Sequence, residues 1–135
     1  MSYYFSTVLR KTSYEKAIEL ATSELAKEGF GVLTQINVKE TLKNKIDADF
    51  RPYIILGACN PHFAHKALLA EDKLGVFLPC NVVVEQHEDG SVEVSTVDPQ
   101  AMMASVTNPQ LKELAIEVSE KVQRVIEGVA KLEDS

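Results

Sequence analysis

The sequence lacks clustered basic residues and long apolar runs. Its formal net charge of −6 argues against nucleic acid or an acidic membrane surface as a partner, because both are bound by clusters of Lys and Arg. No segment reaches the length of a membrane span, and the N-terminal residues do not combine a basic region, an apolar run and a cleavage site. We therefore expect a soluble, cytoplasmic protein with no membrane or nucleic-acid partner.

The sequence also lacks the short motifs that identify common enzyme classes. It contains no Walker loop, no G-x-G-x-x-G, no G-x-S-x-G and no H-E-x-x-H, so nucleotide-binding, hydrolase and metalloprotease functions lose their usual support. The carboxylates of Asp47, Asp49, Glu88 and Asp89 occupy predicted turns, where no apolar surroundings would raise a pKa for acid catalysis. The missing motifs and the carboxylates in turns leave open whether the protein is an enzyme.

Only two cysteines are present, Cys59 and Cys80. In a cytoplasmic chain, two cysteines are more typical of free thiols, metal ligands or a redox pair than of a structural disulfide. The chain has 135 residues, 45% of them hydrophobic, which is enough for one domain to bury a core without a disulfide or a metal. We expect a single domain over residues 1–135.

Alternating and helical apolar patterns divide the chain into strands and helices. They predict strands at residues 3–10, 30–36, 53–59, 80–86 and 91–97. They predict helices at residues 12–29, 37–46 and 60–75, and further helices that begin at Asp98-Pro99 and Asn108-Pro109. The fold class is therefore α+β, and the elements follow the order β-α-β-α-β-α-β-β-α-α. The helices and a mixed β-sheet are expected to pack as two layers. The uniformly apolar strand at 53–59 is expected at the centre of the sheet.

Three segments of the chain resemble one known family. They are Cys59-Asn60-Pro61, the run from Leu78-Pro79-Cys80 to Val84, and Val97-Asp98-Pro99. Over nearly its whole length the sequence is similar to the domain of unknown function family 302. The resemblance implies a small bacterial or archaeal α+β domain that forms a homodimer and whose activity is not established. It also implies that the Asn-Pro and Leu-Pro pairs mark the fold, since the family keeps them more faithfully than the cysteines.

Cys59 stands where an apolar strand is expected to run into a helix. Partial positive charge at a helix start lowers the pKa of a nearby thiol below its reference value of about 8.5, which makes it a better nucleophile or metal ligand. Cys80 begins a strand that is expected beside it. The pair therefore predicts a thiol-dependent redox enzyme, with Cys59 as the catalytic nucleophile and Cys80 as the resolving partner. Buried, inert cysteines are the competing interpretation.

The same cysteines also belong to a possible zinc site. Cys59, His62, His65 and Cys80 form a C-x2-H-x2-H-x14-C series. Thiolate and imidazole are ligands that zinc prefers, and zinc in structural sites takes four of them. The series predicts a Cys/His metal-binding protein. The competing interpretation is that both histidines lie on an exposed helix face and that the cysteines pack as small apolar groups.

Our leading hypothesis is a module that binds or senses a small ligand. Asn60 and Asn81 each follow a cysteine and offer side-chain amides, and the free backbone N–H groups near His62 favour an anion. The expected pocket lies between the turn at residues 59–65 and the strand start at residues 79–81, because ligands commonly bind beyond the carboxyl ends of strands. A third possibility is association, through the long last helix or an exposed strand edge. The ligand is not identified by the sequence.

Overall fold

The computed structural model describes residues 2–133, which form one sheet and its helices. The strands are β1 (Tyr4–Leu9), β2 (Gly31–Asn37), β3 (Tyr53–Cys59), β4 (Cys80–Gln86) and β5 (Val92–Val97). The α-helices are α1 (Tyr14–Lys27), α2 (Val38–Ile46), α3 (Pro61–Ala70), α4 (Pro99–Met102) and α5 (Pro109–Glu133), and a 3₁₀ helix (Asp72–Phe77) follows α3. The α+β class and the order of strands and α-helices agree with the prediction. No helix within these residues is long and apolar enough to cross a bilayer.

The strands of the sheet lie in the order β1-β5-β4-β3-β2, and every pair of neighbours is antiparallel. The expected mixed sheet is therefore corrected to an antiparallel one, and its central strand is β4 rather than β3. The path of the chain explains both differences. After β1 the chain crosses to the opposite edge through α1, so β1 and β2 never pair. From β2 onward each strand pairs with the next one in sequence, and β5 finally pairs with β1.

One face of the sheet is covered by α1 and α5. Alternation along the strands turns every second side chain toward these helices, and Leu56, Val84 and Val94 are fully buried there. The buried residues of α5 are Leu111, Ala115, Val118, Ser119, Val122, Val125, Ile126 and Val129. Burial of each large aliphatic side chain contributes about 1.5–3 kcal/mol. This layer is therefore the main source of hydrophobic stabilisation.

The two covering helices approach each other closely where Gly128 of α5 faces Glu24 of α1. A Cβ atom at residue 128 would collide with the Glu24 carboxylate. Glu24 is only 8% exposed, and its carboxylate accepts a hydrogen bond from Lys27 Nζ at 2.6 Å. The absence of a side chain at Gly128 thus lets a buried carboxylate fit between the helices while it keeps its cationic partner.

Side-chain caps begin two of the helices where the sequence predicts them. Asn37 Oδ1 accepts a hydrogen bond from the Glu40 N–H at 3.0 Å, and Asn60 Oδ1 accepts one from the Phe63 N–H at 3.5 Å. Each bond satisfies an N–H group that has no partner inside its helix. The first helix differs slightly from expectation, because its N-cap is Ser13 and not the preceding threonine. Local capping chemistry is therefore a reliable guide to these helix starts.

The third helix ends earlier than its sequence predicts. α3 stops at Ala70 instead of continuing to Gly75, and the chain turns into the 3₁₀ helix after an extended Glu71. The Asn108 side-chain amide donates a hydrogen bond to the Ala70 carbonyl at 3.1 Å. This contact satisfies a carbonyl at the helix end that would otherwise lack a partner. The ending is thus supported by a residue distant in sequence.

The other face of the sheet, which we call the open face, is largely exposed to solvent. Tyr4 is 44% exposed, Val8 43% and Ile36 48%. A groove of about 370 Å³ crosses this face. The fold thus presents two different environments for a site: the apolar end of the covered face, and a wide groove on the open face.

Candidate functional site

A cavity lies at the end of the sheet where β3 runs into α3 and β4 begins. We call it the thiol cavity, because Cys59 and Cys80 both line it. Its wall also includes Phe30, Phe63, Ala64, Met102, Leu111 and Val118. Water can occupy about 50 Å³ of it, which is room for only a few water molecules. The cavity lies between the turn after β3 and the start of β4, which is where the sequence places a pocket.

Cys80 presents a neutral thiol to this cavity. It lies opposite Ala58 in the β3–β4 register and packs against the main core. Burial, and to a smaller extent the neighbouring Cys59, raises the pKa of the Cys80 thiol from its usual 9.0 to about 11. The thiol is therefore protonated at neutral pH. In that form it is a weak nucleophile, and it contributes apolar surface to the lining of the cavity.

Cys59 is a free, half-buried thiol at the last position of β3. It follows Ala58, the residue that pairs with Cys80, so the two cysteines lie on neighbouring strands but not directly opposite each other. The structure thus makes the two free thiols neighbours without setting them as a facing pair.

The three side chains expected to bind a ligand lie in different environments. Asn60 is 8% exposed and borders the thiol cavity, but its Oδ1 caps α3 and its Nδ2 donates to the Glu28 carbonyl at 3.3 Å. His62 is exposed in the first turn of α3. Asn81 is exposed and lines the groove of the open face. The predicted residues therefore do not converge on one ligand.

The four residues of the predicted zinc site are not gathered around one point. His62 and His65 are both exposed on α3, whereas Cys80 packs against the core. Between residues 2 and 133, a different trio has ligand atoms that all lie within 4.8 Å of one another, and it is the only such group of His, Cys, Asp or Glu. The C-x2-H-x2-H-x14-C spacing consequently does not bring its members within reach of one ion in this structure.

That other trio is Glu85, His87 and Glu93, which we call the acid–histidine cluster. Glu85 and Glu93 lie directly opposite each other in the β4–β5 hairpin, and His87 follows β4. His87 Nε2 lies 2.9 Å from Glu93 Oε1. The side chains of Glu85, Glu93 and His87 are 14%, 23% and 38% exposed. The cluster is thus partly shielded from water while it stays accessible from the open face.

The carboxylate of Glu85 is held by Arg51. Nε and Nη2 of Arg51 both donate to Glu85 Oε1, at 3.0 and 2.9 Å. The guanidinium carbon lies 4.5 Å from the centre of the Phe50 ring and 5.4 Å from that of Tyr53, so two aromatic faces help to hold it. This arrangement engages one oxygen of Glu85 and leaves Oε2 without a hydrogen-bond partner among residues 2–133.

The carboxylate of Glu93 is held from the opposite side. Ser6 Oγ, on β1, donates a hydrogen bond to Glu93 Oε2, and Ser95 Oγ donates to Ser6 Oγ at 3.1 Å. The Ser6 hydrogen bond is the main cause that lowers the pKa of Glu93, against a smaller opposing effect of burial and with help from His87. Glu93 is therefore ionised at neutral pH.

The sequence contains a signal for this cluster that motif searches miss. The hairpin turn lies around Asp89, so residues at equal distances before and after it face each other, as Glu85 and Glu93 do. His87 is two residues beyond Glu85 and therefore falls on the same face of the strand. Combining the predicted hairpin with its strand alternation would have identified all three residues.

Comparison with known proteins identifies relatives of the whole domain. A family model described as "Domain of unknown function DUF302" matches residues 5–129. The crystal structure of an uncharacterised conserved DUF302 protein from Bacillus stearothermophilus is similar to this fold with a TM-score of 0.87 and 31% sequence identity, over 96% of this chain and 99% of that one. No curated protein matches the sequence. The family expected from the Asn-Pro and Leu-Pro segments is thereby confirmed: the chain belongs to the DUF302 family.

Proposed function

We propose that this domain binds a small, predominantly apolar molecule in the thiol cavity. The observation that supports the proposal is the composition of the cavity wall, in which Phe30, Phe63, Met102 and Leu111 surround the space together with the two thiols. Ligand sites are mostly apolar with a small number of placed polar groups. The cavity lies beside the end of β3 and the start of α3, next to the start of β4.

The size of the cavity limits the ligand. About 50 Å³ is open to water, which is far less than the roughly 300–1,000 Å³ of a site for a drug-sized molecule. Met102 and Met103 are in the wall, and methionine side chains rearrange at low energetic cost because they are unbranched and flexible. A ligand of a few heavy atoms therefore fits directly, and a somewhat larger one requires movement of these side chains.

The polar groups at the cavity explain why the ligand is expected to be apolar. Among the described residues of the wall, Asn60 is the only amide side chain, and its oxygen and nitrogen are already engaged by the Phe63 N–H and the Glu28 carbonyl. A polar ligand would therefore gain few hydrogen bonds and would lose those that it makes with water. Shape and contact with the Cys80 sulfur remain as the sources of selectivity.

Benzene is a suitable first probe, because it is small and apolar and is known to bind in apolar protein cavities. We expect benzene to shift the NMR amide resonances of residues around the thiol cavity. The variant Ala64→Leu places a larger side chain in the wall and should abolish these shifts. Ala26→Leu, at an exposed position of α1, is the matched control and should retain them. Equal shifts in the wild type and in Ala64→Leu, or no shifts in the wild type, would refute the proposal.

Thiol chemistry is a second candidate function, with Cys59 as the nucleophile and Cys80 as the resolving partner. Its support is that both thiols are free and that Cys59 lies near enough to raise the pKa of Cys80. Because Cys80 stays protonated until the pH approaches about 11, we expect alkylation at neutral pH to modify Cys59 well before Cys80. Mass spectrometry of peptides after timed alkylation measures both rates. Equal alkylation rates of the two cysteines at neutral pH would contradict the roles of Cys59 as nucleophile and Cys80 as resolving partner.

We propose in addition that the chain forms a homodimer through β2 and α2. β2 is an edge strand on which Leu33 is 68% exposed, and α2 has no buried residue and carries Ile46 at 69% exposure. Two copies related by a two-fold axis can pair such an edge with itself, because each offers the same row of free N–H and C=O groups. Pairing would also cover the apolar side chains beside that edge.

Sedimentation equilibrium tests the dimer. We expect the wild type to be dimeric and Leu33→Glu to be monomeric, since a charge in the paired edge repels its symmetry mate. Leu69→Glu is the matched control, because Leu69 is 76% exposed on α3, away from this edge. A monomeric wild type, or the same effect of both substitutions, would show that β2 is not the interface.

A further inference from the structure

The acid–histidine cluster contains an unusual pairing of charges. Glu85 and Glu93 carry the same charge and lie directly opposite each other on one face of the sheet, an arrangement that destabilises an antiparallel pair. Within residues 2–133, Arg51 is the one guanidinium that bonds to the pair. Among residues 2–133, Glu93 has no lysine or arginine partner, since its carboxylate contacts Ser6 and His87. A bound cation would remove this imbalance.

Residues outside the cluster orient its ligand atoms. Arg51 engages Oε1 of Glu85, and Ser6 engages Oε2 of Glu93. Glu93 thus has Oε2 held by Ser6 and Oε1 beside His87 Nε2, and Glu85 has Oε1 held by Arg51. Donors of this kind, which bond to the ligands and not to the ion, fix the orientation of ligands in established metal sites.

We propose that Glu85, His87 and Glu93 bind a divalent cation of the first transition row, with Zn²⁺ as the best match. Imidazole nitrogen and carboxylate oxygen are both ligands that zinc accepts, whereas Mg²⁺ prefers oxygen ligands in a near-ideal octahedron. Ligands of a tetrahedral zinc ion are about 3.4 Å apart. His87 Nε2 and Glu93 Oε1 already lie 2.9 Å apart, and one ligand atom from each of the three residues lies within 4.8 Å of the other two. Small side-chain movements would therefore bring all three atoms to one zinc ion.

The proposed ion would have an open coordination position on the side of the groove. Three protein ligands leave room for water or another molecule at a tetrahedral zinc ion, in contrast to the four ligands of a structural zinc site. The groove of the open face is lined by Tyr53, Asn81 and Ser95 in addition to Glu85 and Glu93. A molecule at the open position would therefore contact phenol, amide and hydroxyl groups. This site is separate from the thiol cavity.

Calorimetric titration of chelator-treated protein with Zn²⁺ tests the proposal. To keep zinc away from thiols, the experiment uses the variant Cys59→Ser/Cys80→Ser, with its folding confirmed by circular dichroism. We expect one zinc ion per chain, and binding about 100-fold weaker after the further change His87→Gln. Ser6→Ala, which removes only an orienting donor, should weaken binding about 10-fold. Glu88→Gln is the matched control, because Glu88 is exposed and outside the cluster.

Protein that retains both cysteines provides an independent test by absorption spectroscopy. Its Co²⁺ complex should show the absorption of nitrogen and oxygen ligands without a thiolate charge-transfer band, and His87→Gln should lose that spectrum. No zinc binding up to about 1 mM, corresponding to about −4 kcal/mol, would overturn the proposal. It would equally be overturned by unchanged affinity in His87→Gln or by thiolate absorption in the Co²⁺ complex. None of these outcomes depends on whether the thiol cavity binds benzene.

Discussion

The helices α2 and α5 look alike in sequence and differ in what they cover. Each has apolar residues at helical spacing and polar residues elsewhere, so each is predicted to bury one side. In the structure α5 buries eight residues, against the sheet and α1 along most of its length and against α3 and α4 near its start, whereas α2 buries none. The difference teaches that apolar spacing specifies a helix and its apolar side. Whether another element covers that side depends on the path of the chain.

The same contrast separates the strands beside these helices. β2 exposes Leu33 and Ile36 at the edge of the sheet, whereas Val82 and Val84 of the central β4 are fully buried. The unit of β2 and α2 therefore forms a periphery, and β4, β5, α1 and α5 form the interior. Segments with few buried apolar contacts open at lower free energy than the core. We expect stability to be distributed unevenly in this way.

The largest effect is expected from matched leucine truncations in the two helices. Leu111→Ala in α5 removes a fully buried side chain and should lower the free energy of unfolding by about 2–5 kcal/mol. Leu42→Ala in α2 removes a half-exposed one and should cost about 1 kcal/mol or less. Urea unfolding measures both. Both are measured in the monomeric Leu33→Glu background, where the proposed homodimer covers neither helix, and similar losses there would contradict the contrast between α2 and α5.

An intermediate effect is expected from the two asparagine caps. Asn37→Ala should destabilise α2 by about 0.5–1 kcal/mol through loss of one capping hydrogen bond. Asn60→Ala should cost about 2 kcal/mol, because Asn60 is buried and also donates to the Glu28 carbonyl. Thermal unfolding of both variants compares them directly. An equal cost would mean that the bond to Glu28 contributes no net stability.

The smallest effect is the pH dependence of the contact between Glu28 and Arg124. The hydrogen bond from Arg124 is the main cause that lowers the pKa of Glu28 in the folded chain. Because the folded pKa lies below the unfolded value of about 4.3, the stabilisation is complete above that pH and disappears as the pH falls through the folded pKa. We expect Arg124→Met to lose most of this contribution of Glu28, which is a small part of the acid dependence of the whole domain.

Urea unfolding at a series of pH values measures that dependence. Lys43→Met is the matched control, because Lys43 and its partner Asp47 in the α2 region have side chains that are 56% and 86% exposed. Exposed ion pairs contribute little to stability, so the control should keep the pH profile of the wild type. An unchanged profile in Arg124→Met would show that the contact with Glu28 is not maintained in solution.

Much of the fold is predictable from local patterns. Alternation identified the strands, and caps such as Asn37 and Asn60 identified helix starts, because these signals depend on residues close in sequence. The antiparallel arrangement, the central position of β4 and the end of α3 at Ala70 were not predicted. They depend on the crossing of α1 over the sheet and on a hydrogen bond from Asn108, which join residues distant in sequence.

The candidate sites also differ in whether they depend on residues close in sequence or on residues distant in sequence. The position of a pocket near Cys59 and Cys80 followed from one strand end and one strand start, which local patterns locate. The zinc series was predicted from spacing alone, and spacing does not reveal that His62 and His65 are exposed on α3. The acid–histidine cluster required the hairpin register as well as the residue types. Its chemistry becomes visible only when two strands are placed side by side.

The contact between the last helix and the first strand has a consequence for how the domain is made. β1 pairs with β5, and the Glu133 carboxylate at the end of α5 accepts hydrogen bonds from the N–H groups of Arg10 and Lys11, at 2.5 and 2.9 Å. During synthesis, β1 therefore leaves the ribosome long before its partners exist. β1 can join the sheet only after β5 has emerged, so the pairing of the first strand is a late, non-local step of folding.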